Sequence, residues 1–81
     1  MTTENGSSEG LKGQYANYFK VGYNAFEFVL DFGQYFQQNG KDQFHTRIVM
    51  GPVYAKALLD TLRASIGTYE QSFGVIPDQD E

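Results

Sequence analysis

At 81 residues the chain holds one domain at most, and a core of that size sits near the lower limit of what can be stabilised alone. It has no cysteine, which excludes disulfides, thiolate metal sites and a cysteine nucleophile, and its net charge of -4 offers no overall attraction to phosphate. The charge is unevenly spread: residues 1–14 and 75–81 carry five acidic residues against Lys12, whereas the middle balances five acids against five bases. The mixed middle lacks the basic stripe on which non-specific nucleic-acid binding depends.

Residues 1–14 are mostly Gly, Ser, Thr, Glu and Asn with a single Leu, too little apolar area to offset chain entropy, and are expected to form a disordered tail. They carry neither the basic nor the apolar region of a signal peptide, and no apolar run approaches a bilayer span, so a soluble cytoplasmic protein is expected. From Tyr15 the density of aromatic and β-branched residues rises. Phe19, Val21 and Tyr23 share one parity and Tyr18, Lys20 and Gly22 the other, which predicts a strand. A turn follows around Tyr23, Asn24 and Ala25, with Gly22 and Asn24 as residues that tolerate positive φ.

A second strand is predicted from Phe26 to Gly33, with Phe26, Phe28, Leu30 and Phe32 on one face and Glu27, Val29 and Asp31 on the other. Asn39 and Gly40 carry a strong hairpin signal. The third strand runs from Phe44 to Met50, with Phe44, Thr46, Ile48 and Met50 facing one way and His45, Arg47 and Val49 the other. Beyond it the apolar period lengthens: Ala55, Leu58, Leu59, Leu62, Ile66, Tyr69 and Phe73 form one stripe of a helix from Pro52 to Phe73, stopped at Gly74.

These elements predict an α+β fold: a three-stranded antiparallel meander in β-β-β-α order, with one long amphipathic C-terminal helix packed on the aromatic sheet face. The domain spans 15–74 and an acidic tail spans 75–81. Phe19, Phe26, Phe28, Phe32 and Phe73 are the expected core. The second sheet face carries Tyr18, Lys20, Glu27, Val29, Asp31, Arg47 and Val49, the candidate interaction face.

The combination of Asn17, Phe19, Val21, Gly22, Asn24, Glu27, Phe28, Asp31 and Phe32 with Arg47, Ile48, Val49, Pro52, Ala55, Lys56 and Leu59, closed by Tyr69, Glu70, Phe73 and Gly74, resembles a family of short bacterial and archaeal proteins known only as a domain of unknown function. The similarity covers residues 15–76. It implies no activity, cofactor or catalytic residue, and it places Glu27, Asp31, Arg47 and Lys56 at pattern positions of the family.

Catalytic groups are hard to assemble from this chain. Glu27 and Asp31 are four residues apart, which along a strand is about 13 Å, beyond the carboxyl separation of a glycosidase pair. They read instead as outward charges pairing across strands with Arg47 or Lys20. His45 is the single histidine and lacks the companions a metal site needs; Ser65 and Ser72 have no base in context. No metal, cofactor or catalytic residue is therefore assigned. The expected function is a non-enzymatic protein-interaction or chaperone-like module that self-associates as a homodimer or higher oligomer, or engages an unidentified protein partner, away from membranes. Single-stranded nucleic-acid binding by the outer sheet face is the second reading, resting on exposed Tyr and basic groups.

Overall fold

The structure is a computed structural model that describes residues 10–36 and 41–78. Three antiparallel strands, β1 (Tyr18–Tyr23), β2 (Phe28–Phe36) and β3 (Lys41–Met50), form a sheet in the order β1-β2-β3 and are followed by helix α1 (Pro52–Phe73). The expected meander-plus-helix fold is the observed one. The expected turn at Asn39 and Gly40 lies outside the described residues, as do residues 1–9 and 79–81 of the two expected tails.

Among the described residues there are two compact units. One takes in those up to Lys20 and within Asp31–Arg47; the other takes in Val21–Leu30 and those from Ile48 onward.

In the first unit the strands are joined by features that alternation alone does not predict. Asn17 extends the pairing of β1 with β2: its N–H donates to the Gly33 carbonyl at 3.0 Å, and its Oδ1 accepts the Tyr35 N–H at 2.9 Å. Gly33, expected near a strand end, lies in mid-strand and is buried. A Cβ there would meet the Gln43 carbonyl oxygen and lie 2.9 Å from the Phe44 Cα, so only glycine lets the β3 backbone approach this closely. The rings of Tyr18 and Phe44 meet with centroids 5.3 Å apart, while Phe19 meets Phe32 edge-on at 5.9 Å.

This placement corrects the expected faces of β3. Phe44 reaches Tyr18 and Arg47 reaches Asp31, although residues three apart in a regular strand point to opposite faces. Between them the neighbouring side chains His45 and Thr46 are in contact, Nδ1 to Oγ1 at 2.6 Å, whereas regular alternation sends adjacent side chains to opposite faces. A one-residue break of the β-bulge type at His45–Thr46 accounts for both observations, and it moves Phe44 off the face expected to carry Ile48 and Met50.

In the second unit the turn between β1 and β2 is made without positive φ, since no described non-glycine residue adopts it and Gly22 does not either. Asn24 reverses the chain with its side chain instead. Its Oδ1 accepts the N–H groups of Phe26 and Glu27 at 2.8 and 3.0 Å, and its own N–H donates to the Glu27 carbonyl. Phe26 is thereby drawn into the turn and left 84% exposed, so the second strand begins at Phe28. Tyr23 stacks on Phe28 with centroids 5.6 Å apart.

Helix α1 starts at Gly51, whose carbonyl accepts from Tyr54 and Ala55, with Pro52 as the first helical residue. It ends at Gly74, where φ of 96° takes the chain out of the helix and the N–H closes on the Glu70 carbonyl. The Glu70 carboxylate then accepts the Ile76 N–H at 2.8 Å, tethering the segment that follows.

The expected core does not close. No apolar side chain among the described residues is buried, and Phe19, Phe26 and Phe73 are exposed. Gly33→Ala should destabilise the fold by about 3 kcal/mol or more, because the atoms it meets are backbone and cannot rotate away. Urea unfolding checks this; a midpoint equal to that of the parent would contradict the close approach.

Candidate functional site

The first unit brings together Tyr18, Lys20, Asp31 and Arg47 of the expected interaction face and adds Phe44. Asp31 and Arg47 lie on adjacent strands and join as a fork: Nε to Oδ1 at 2.7 Å and Nη2 to Oδ2 at 2.9 Å. The acid is the enclosed partner, with its side chain 12% exposed against 68% for the arginine. Of the two acids that Arg47 was expected to reach, it takes Asp31.

The hydrogen bonds from Arg47 hold the Asp31 carboxyl below its usual range; partial desolvation opposes this, and the charges of Arg47 and Lys20 reinforce it. The same bond holds Arg47 above its ordinary value. With both oxygens occupied and its proton affinity lowered, Asp31 is badly suited to act as a base. It orients a guanidinium whose outer side faces solvent. A cavity of about 310 Å³, lined by Asp31, Phe44, His45, Thr46 and Arg47, opens beside the pair.

His45 has a structural task that the sequence did not disclose. Its Nε2 lies 3.0 Å from the Tyr15 carbonyl oxygen, which only accepts, so Nε2 is the protonated nitrogen; in the neutral ring Nδ1 then accepts from the Thr46 hydroxyl. The ring thus ties the segment before β1 to β3. Among the described residues no three His, Asp or Glu side chains lie close enough to hold a metal ion together.

The remaining expected face residues, Glu27, Val29 and Val49, belong to the second unit. Val29 is partly buried, and Val49 and Glu27 are exposed. The more prominent feature of this unit is a groove of about 330 Å³ between the hairpin and the helix. Val21, Phe28 and Leu30 form one wall and Ala55, Leu58, Leu59 and Leu62 the other. A second hollow of about 380 Å³ continues past Phe28 along Pro52, Ala55, Lys56 and Leu59. The sequence placed these groups on the helix stripe and the facing strands but treated them as closed core; the structure leaves an open apolar channel between them.

The chain belongs to the family described as "Protein of unknown function (DUF3467)", which matches residues 2–78. The resemblance read from residues 15–76 is therefore correct and extends further. No curated protein and no solved structure matches the chain. No helix among the described residues is long and apolar enough to cross a membrane.

The acid behaviour of the Asp31–Arg47 fork follows from the sign of the shift. A carboxylate with a lowered folded-state value contributes stability above its unfolded value and loses it as pH falls through the folded one. Asp31→Asn should lower the urea midpoint at neutral pH and lose less stability than the parent on acidification from pH 5 downward. Parallel acid profiles for the two proteins would remove the fork from the account.

Proposed function

We propose that the chain is a small non-enzymatic protein-interaction module that works as a homo-oligomer. What supports this reading is one observation: among the described residues no apolar side chain is buried, while the large apolar residues of β1 and α1 remain open to solvent. Scattered apolar residues on a surface are ordinary, but a domain with no enclosed apolar side chain and a continuous apolar channel lacks the driving force that would offset its chain entropy. A second chain supplies the missing burial without adding length to the first.

The Asp31–Arg47 fork fits the same reading. It fixes an exposed guanidinium in a rigid orientation beside Tyr18 and Phe44, and an oriented Arg with aromatic neighbours is the composition of interface anchors. It weighs against single-stranded nucleic-acid binding, because the charge of Arg47 is already matched by Asp31 and Lys20 lies within the field of the same acid. A place in the cytoplasm, where a cysteine-free chain needs no oxidising milieu, is part of the proposal.

Size-exclusion chromatography with light scattering tests the reading. A mass of twice the 9.1 kDa chain or more is expected at micromolar concentration. A folded species of single-chain mass would overturn it.

A further inference from the structure

Helix α1 carries a second pattern inside its apolar stripe. Ala55, Leu59, Leu62, Ile66, Tyr69 and Phe73 are spaced four, three, four, three and four residues apart, the heptad spacing of a helix that packs along another helix. Only the N-terminal half of this row borders the groove. Ile66, Tyr69 and Phe73 are absent from its walls and are 41%, 50% and 75% exposed, with Tyr69 and Phe73 in contact at 4.9 Å along the helix. One half of the row therefore borders a hollow, and the other half presents the side chains that would fill one.

We propose that the groove is closed by α1 of a second copy of this chain, laid antiparallel, so that each groove receives the C-terminal half of the other helix. This rests on the homo-oligomer reading and specifies its surface. An antiparallel pair centred near Ala64 forms three layers on each side of the axis: Leu62 against the partner's Ile66, Leu59 against the partner's Tyr69, and Ala55 against the partner's Phe73. The smallest residue of the row thus meets one of the largest. A parallel pair would instead set Ala55 against its own copy at one end and Phe73 against its own copy at the other, leaving a gap and a crowd.

The flanking charges point the same way. Lys56 and Glu70 sit on the same edge of the row, eight and six residues from its middle, and the antiparallel arrangement brings each within side-chain reach of its opposite on the other chain. Arg63 lies between them and meets its own copy at the solvent rim, where a like-charge contact costs little. The area is of the right order. The exposed parts of Val21, Leu58, Leu59, Leu62, Ile66, Tyr69 and Phe73 offer roughly 700 Å² per chain, against about 800 Å² per partner in a standard stable interface.

The test exploits the absence of native cysteine. Full-length Ala55→Cys and Phe73→Cys chains are mixed, refolded together and oxidised. The 55-to-73 cross-link is expected in the mixture and in neither variant alone, because like positions lie about 27 Å apart along the antiparallel pair. A charge swap that leaves the apolar row intact provides the second arm. Lys56→Glu alone should weaken association about five- to tenfold, and Lys56→Glu combined with Glu70→Lys should restore it.

A dimer mass without the mixed cross-link and without charge-swap rescue would overturn the helix pairing while leaving the homo-oligomer reading standing. A folded monomer, with or without a small apolar molecule in the groove, would overturn both.

Discussion

A helix of 22 residues, none of whose apolar side chains is buried, is the constraint on which the rest of this structure depends. The chain devotes more than a quarter of its length to one amphipathic element, and the groove it forms with the first hairpin is lined by the N-terminal half of the stripe. Burial of an apolar side chain contributes roughly 1.5–3 kcal/mol when complete, and here no described apolar side chain achieves it within one chain. The ladder bonds and ring contacts of the sheet give it shape, but such contacts contribute on the order of 1 kcal/mol each. The proposed second chain would add the larger hydrophobic contribution that these contacts do not supply.

Against that deficit the sheet is stitched by specific polar and steric devices. Asn24 turns the first hairpin with its own amide, Asn17 lengthens the pairing of β1 with β2, and His45 pins the segment before β1 to β3. Gly33 admits the β3 backbone, and the break at His45–Thr46 brings Phe44 and Arg47 to one side. In a chain with little enclosed core, features of this kind fix register where packing does not. The fork from Arg47 to Asp31 belongs with them: it spans two strands and leaves an oriented cation at the surface.

The element order was legible because alternation in the strands and the longer period in the helix are each carried by many residues. Pro52 and Gly74 marked the helix ends that the structure places there. Two expectations failed for local reasons. Phe26 looked like the first member of an inward row, but the Asn24 side chain captures the N–H groups of Phe26 and Glu27 and holds Phe26 in the turn, a choice that parity cannot register. Phe44 was assigned to the wrong face because a single extra residue at His45–Thr46 inverts every assignment on one side of it. The Asp31–Arg47 contact was anticipated from cross-strand charge, whereas the groove was not. The stripe that lines it has the same composition as a closed core, and only the distance between its walls separates the two.

Folding and association are a single process in this account, and equilibrium unfolding measured at two protein concentrations addresses that most directly. For a chain that is stable only when paired, a hundredfold rise in concentration, from about 1 to about 100 μM, should raise the urea midpoint by roughly 1 M. Superimposable unfolding curves at the two concentrations, with a cooperative transition in each, would contradict it.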